Sequence, residues 1–143
     1  SALLFPLSIQ LEESSKSLVR TILSIDEDSQ SMIFAGDIPE GATVRLMKAN
    51  FDKLIDGAFE AAESGYKVWN GTPPDLAILI SCVGRKLVLD QRIEEEIESV
   101  HEVIGEAIPT IGFYSYGEIS PFAGYLNCEL HNQTMTITLI GEV

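Results

Sequence analysis

Two charged side chains, Glu118 and Arg85, each directly follow a glycine near the end of an apolar stretch. A guanidinium group binds a carboxylate through two parallel hydrogen bonds, and a carboxylate accepts hydrogen bonds from an ammonium group. Glu118 and Arg85 facing each other would therefore match the two ends of an amino acid. In the alternative interpretation, the two side chains pair with each other or cap backbone groups.

A second polar pair, His131 and Asn132, precedes the last apolar run of the chain. A neutral imidazole and an amide can orient a polar ligand, or they can simply fix the start of a strand. Cys82 as nucleophile, His131 as base and Glu118 as orienting group would suit a cysteine hydrolase or transferase. Cys82 ends an apolar run, however, where a free cysteine usually packs as a small apolar residue. We therefore expect a binding protein and no enzyme.

Cofactor signatures are missing from the sequence. The four cysteine and histidine residues include one close pair, Cys128 and His131, and no CxxC or HExxH pattern. Neither GxGxxG nor GxxxxGK[ST] occurs. We therefore expect no metal and no cofactor.

Hydrophobic periodicity predicts six strands and two helices in the order β-β-β-α-β-α-β-β. The first helix should begin at Phe51, with Asn50 as its N-cap and Gly65 as its C-terminal stop. The second should span 90–106. The strands are predicted at 17–25, 32–35, 43–47, 76–81, 110–116 and 135–140. This order predicts an α+β (mixed α/β) domain, with one mixed sheet and both helices packed on it.

Strand–helix–strand connections normally join parallel neighbours, so strands 43–47, 76–81 and 110–116 should end at one edge of the sheet. Ligands tend to bind beyond the carboxyl ends of parallel strands. An antiparallel last strand would bring its first residues to the same edge. The candidate ligand-binding residues at this edge are Asn50, Cys82, Arg85, Tyr116, Gly117, Glu118, His131 and Asn132.

The overall charge limits the partners of the chain. Its 22 acidic and 9 basic residues give a formal net charge of −13, which repels nucleic acid and anionic membrane surfaces. The longest apolar run is far shorter than the roughly 20 residues that span a bilayer. Two cysteines and no signal peptide indicate a reducing cytoplasm. The opening Ser1-Ala2 suggests a cloning remnant, so we predict a leader at 1–16 and one domain at 17–143.

The segments GFYSYGEISP and ELHNQTMTITLIG closely resemble the end of the FIST C-terminal domain family. Residues 36–41, 44–47 and 81–85 resemble the same family in the same order. The family forms the second half of a two-part sensory module of signal-transduction proteins. This resemblance implies a small-ligand sensor, with amino acids among the candidate ligands, and as partners an N-terminal half and an output domain. In an alternative, the same edge docks the N-terminal half or a second copy, as a homodimer.

Overall fold

The computed structural model describes residues 2–10, 16–70, 72–122 and 125–142. These residues form three α-helices, α1 (Phe51–Val68), α2 (Val83–Leu89) and α3 (Ile93–Ile104), and two 3-10 turns, Ala2–Leu4 and Asp90–Arg92. They also form ten strands: β1 (Leu7–Gln10), β2 (Ser17–Arg20), β3 (Ile22–Asp26), β4 (Ser31–Phe34), β5 (Val44–Leu46), β6 (Leu76–Cys82), β7 (Thr110–Ser115), β8 (Glu118–Pro121), β9 (Cys128–His131) and β10 (Met135–Ile140). The predicted mixed α+β class is confirmed.

The core is built on a three-stranded sheet in the order β10–β6–β7. Strand β6 is central as predicted, parallel to β7 and antiparallel to β10. Alternate residues of β6 point to opposite faces, and Ala77 and Leu79 face helices α1 and α3. The buried apolar cluster between sheet and helices consists of Ala58, Ala62, Ala77, Leu79, Val100, Ile104, Ile108 and Met135.

Helix α1 begins where the sequence places it, because Asn50 is its N-cap and accepts a hydrogen bond from the Lys53 backbone nitrogen (3.1 Å). The small side chains of Ala58 and Ala62 are fully buried and let α1 lie close to α3. The predicted stop at Gly65 is wrong, since Gly65 lies inside the helix and α1 continues to Val68.

The prediction of a single sheet of about six strands is wrong. The described residues form four separate sheets, which are β2–β1–β5, β10–β6–β7, and the hairpins β3–β4 and β8–β9. The predicted strand 17–25 is divided at Thr21, and β5 pairs with β1 instead of joining β6. Strand β1 lies within the stretch 1–16 that was assigned to a leader. Strand pairing connects residues far apart in sequence, so local periodicity does not specify it.

The second predicted helix corresponds to the Asp90–Arg92 turn followed by α3. Helix α2, which precedes them, was not predicted.

Strand β7 comes unusually close to β6 at Gly112, where a Cβ atom would overlap the Leu79 carbonyl oxygen. Glycine is therefore required at that position. None of the helices in the described segments is long and apolar enough to cross a membrane.

Candidate functional site

Glu118 lies where three strand ends of the core sheet meet. It is the first residue of β8, and it contacts residues at the ends of β6 and β7 and just before β10. The predicted convergence at the carboxyl end of the parallel strands is thus confirmed for β6 and β7. Only 3% of the residue's surface is exposed. A buried carboxylate must be hydrogen-bonded, paired or neutralised, because burial removes its hydration.

Neutral groups hold the Glu118 carboxylate. The Ser115 hydroxyl donates to Oε1 (2.6 Å) and the Thr134 hydroxyl donates to Oε2 (2.7 Å). The Cys82 thiol lies against the same carboxylate. No Lys or Arg forms an ion pair with Glu118 within the described ranges. Sequence reasoning missed Ser115 and Thr134, although Ser115 lies near the end of the predicted strand 110–116 and Thr134 directly precedes the predicted strand 135–140.

Burial raises the pKa of the Cys82 thiol, and the negative charge of Glu118 raises it further. The Cys82 side chain is buried, and its backbone nitrogen donates to the Thr134 carbonyl oxygen (2.9 Å). Since the thiolate is the reactive form of cysteine, both influences make Cys82 a weak nucleophile at neutral pH.

Arg85 does not face Glu118. Its guanidinium instead pairs with Glu96 of α3, with Nε and Nη2 both 3.0 Å from Oε2. The Nη2 atom also donates to the Leu54 carbonyl oxygen of α1 (2.6 Å). Arg85 therefore does not lie against Glu118 in either predicted arrangement, whereas the predicted alternative of a contact to a backbone group is observed at Leu54. The physical reason is that α2 turns Arg85 beneath α1 and α3, where a second buried carboxylate is available.

Glu96 is fully buried, and it accepts hydrogen bonds from the Tyr114 hydroxyl (2.7 Å) and, weakly, from the Ser81 hydroxyl (3.4 Å). Burial, and then the bond to Glu96, raise the pKa of Tyr114. Sequence reasoning missed Glu96. The available signal was its position four residues before Val100, which places both residues on the buried side of α3.

His131 and Asn132 hold the β8–β9 hairpin in place. The Nε2 atom of His131 lies 2.9 Å from the Ser120 carbonyl oxygen, and its ring packs edge-on against Phe122 (4.8 Å between centroids). Asn132 accepts a hydrogen bond from the Thr21 backbone nitrogen (3.2 Å), at the point where β2 and β3 separate. These contacts match the predicted alternative of a network that fixes the strand start.

The other candidates are placed around this cluster or away from it. Gly117 allows close approach, but by the chain itself, since a Cβ atom there would lie 3.1 Å from Leu130 Cδ1. Tyr116 is 88% exposed. Asn50 caps α1 and belongs neither to the Glu118 cluster nor to the Glu96 network. The described residues contain no group of three or more His, Cys, Asp or Glu residues able to hold a metal ion.

A small α+β domain with a buried polar cluster at the strand ends is the class of protein that this geometry defines. The family model of the FIST C domain matches residues 1–121, and the chain belongs to that family. The FIST C domain is a sensory-type domain of signal-transduction proteins. The match includes Glu118, Arg85 and Cys82 but ends before His131. No curated protein and no solved structure matches the chain.

Proposed function

We propose that this domain senses a small polar metabolite by binding its ammonium group at Glu118, and that amino acids are among the ligands. The supporting observation is the burial of the Glu118 carboxylate among hydroxyl and thiol groups, with no Lys or Arg paired to it in the described part of the chain. Buried carboxylates are normally paired with a cation. A ligand ammonium group would supply that cation.

The ligand's other end is a separate question, because Arg85 already binds Glu96 and the Leu54 carbonyl oxygen. Using Arg85 to clamp a ligand carboxylate would leave Glu96 buried and unpaired, at a cost of several kcal/mol. The proposal therefore extends to any small molecule with an accessible ammonium group. Amino acids and simple amines both belong to this class.

Signalling would follow from a change in the groups that surround the Glu118 carboxylate when a ligand binds. Glu118 is buried, and each of its two carboxylate oxygens already accepts a hydrogen bond from a hydroxyl group. A ligand must therefore displace the Ser115 and Thr134 hydroxyls that tie Glu118 to the sheet. Binding would favour an arrangement in which β8–β9 has moved from the strand ends, and such coupling typically amounts to about 1–3 kcal/mol. The N-terminal half of the module and an output domain would receive this change.

Binding without catalysis is part of the proposal. The raised pKa of Cys82 and its burial disfavour nucleophilic attack. The two cysteines, Cys82 and Cys128, are free thiols, which supports a reducing cytoplasm as the location.

Thermal unfolding with matched ligand pairs tests the proposal. Each amino acid is compared with the 2-hydroxy acid of the same side chain, which lacks only the ammonium group, and with the amine that lacks only the carboxylate. Ligand at about 100 times its dissociation constant stabilises by about 2.7 kcal/mol, which corresponds to a shift of roughly 5–10 °C for a domain of this size. We expect shifts from amino acids or amines and none from hydroxy acids.

The matched control is a pair of Glu→Gln variants, one in the site and one at the surface. Glu118→Gln should abolish the shift, whereas Glu98→Gln, on the exposed side of α3, should retain it. Equal shifts from hydroxy acids, or a shift that survives Glu118→Gln, would contradict ammonium recognition at this site. The absence of a shift from every ammonium compound would also count against it.

A further inference from the structure

Strand β7 has an open edge. It is the outer strand of the sheet β10–β6–β7, and no other strand of the described residues pairs with its free side. Exposed edge strands are usually blunted by charged residues, proline or a bulge. The β7 segment TIGFYS contains no charged residue and no proline. Its Ile111 and Phe113 are 62% and 61% exposed.

The two faces of β7 differ in chemistry. In register with β6, Ile111 lies beside Ile78 and Phe113 beside Ile80, which forms an apolar row on the face opposite α1 and α3. Gly112 lies between them on the helix-side face. A strand added to this edge would therefore place every second side chain beside an apolar row.

The helix-side face of the same edge adjoins an acidic surface on α3. A concave surface of about 350 Å³ runs along β7 and shares Ile97 and His101 with a second one, of about 730 Å³, along α3. The second surface is also lined by Glu94, Glu98, Glu102 and Glu106. One cation, Lys86, lies close to the strand, with its Nζ 5.0 Å from the centre of the Tyr114 ring.

We propose that β7 is a docking edge for an extended basic segment of a partner protein, which pairs with β7 as a fourth strand of the sheet. Alternation along such a segment matches the two faces: apolar side chains lie beside Ile111 and Phe113, and Lys or Arg side chains reach the glutamates of α3. Charge complementarity identifies the partner as basic. A second copy fits poorly, because each copy carries a formal charge of −13.

The test uses a fluorescein-labelled ten-residue peptide in which lysine alternates with valine, and its binding is followed by fluorescence anisotropy. Wild-type protein should bind the peptide saturably, and the same peptide with glutamate in place of lysine should bind at least about tenfold more weakly. Equal binding of both peptides overturns the proposal, as does the absence of binding to the lysine peptide.

The protein variants separate strand docking from simple charge attraction. Phe113→Asp adds a negative charge, so nonspecific attraction of the basic peptide would increase, whereas docking should weaken by about tenfold or more. Ile25→Asp on β3 is the matched control, because Ile25 is equally exposed at 63% and lies in a different sheet. Circular dichroism establishes that both variants are folded. Unchanged or tighter binding to Phe113→Asp overturns the proposal.

Backbone pairing has a signature of its own. Peptides N-methylated on one or the other set of alternate amides lose the donors on one edge only. If the peptide pairs with β7, methylation of one set of amides should abolish binding and methylation of the other set should leave it intact. The reason is that a strand uses alternate amides on each of its edges. Equal behaviour of the two sets overturns the proposal. Sedimentation showing a micromolar homodimer that dissociates in Phe113→Asp would assign the edge to a second copy instead.

Discussion

Two buried carboxylates of this domain, Glu96 and Glu118, are held in opposite ways. Glu96 has a buried cation, Arg85, and two hydroxyl donors, and it joins α3 to α2 and β7. Glu118 has hydroxyl and thiol neighbours and no Lys or Arg partner in the described chain. Glu96, with its full set of internal partners, serves the fold, whereas Glu118, which has no counter-ion in the described chain, is the residue at which we propose that a ligand binds. The contrast separates a structural network from a candidate site, although both contain a glutamate of low exposure.

The largest expected effect comes from removing the cation of the complete network. Arg85→Ala should lower the free energy of unfolding by about 3–5 kcal/mol, because it leaves Glu96 as an unpaired buried charge. Urea denaturation monitored by circular dichroism measures the loss. Arg92→Ala is the matched control, since Arg92 pairs with Glu95 (2.7 Å) and Asp52 (3.0 Å) at the surface, and it should cost much less. Similar losses in both variants would contradict the structural role of the Glu96 network.

The Tyr114 hydroxyl should have the next largest effect. Tyr114→Phe removes a hydrogen bond to a charged, buried acceptor and should cost about 1.5–3 kcal/mol. The measurement is again urea denaturation, with Tyr66→Phe on the surface of α1 as the control. A loss no greater than that of Tyr66→Phe would show that the 2.7 Å contact contributes little.

The Cys82 thiol beside Glu118 should make the free energy of unfolding depend on pH. This thiol ionises in the unfolded chain near the usual value of 9.0, whereas burial raises the pKa in the folded protein. The unfolded state therefore releases its proton first, and stability is complete below pH 9 and decreases as pH rises toward the folded pKa. The slope from this group is at most about 1.4 kcal/mol per pH unit.

Urea denaturation between pH 8 and 10.5 measures that slope. Cys82→Ser has a side chain that does not ionise in this range, so its stability should decrease less steeply than that of the wild type. Slopes that coincide would mean that the Cys82 thiol ionises equally in both states. The slope that remains in Cys82→Ser should include a contribution from Tyr114, whose pKa is also raised in the folded protein.

The smallest effect is expected at Glu118 itself. Glu118→Gln keeps the side-chain size, leaves no buried cation unpaired and should cost about 1 kcal/mol, the value of an ordinary hydrogen bond. Glu96→Gln is the direct comparison, because it weakens the bond to buried Arg85 and should cost several times more. Equal costs for the two Glu→Gln variants would remove the distinction on which the proposed site depends.

Local patterns predicted the elements that carry their own signals. The Asn50 cap specified the start of α1, the continuous apolar run specified β6, and alternation specified β10. The meeting of Cys82 and Glu118 followed from the rule that parallel strands end at one edge. Strand β1 and the division of the sheet were missed because β1 pairs with β5, which is distant in the chain. The β8–β9 hairpin was missed because strands of four residues are too short to show a clear alternation.

The sequence by itself determined the family, the α+β class, the main helices and the identity of the residues near the strand ends. Residue spacing and composition carry that information, since they set which faces are apolar and where elements begin. Only the tertiary structure decided that Arg85 binds Glu96 and that the Ser115 and Thr134 hydroxyls bind Glu118. The long side chain of Arg85 can reach several acceptors, and the packing of α2 against α1 and α3 determines which one it binds.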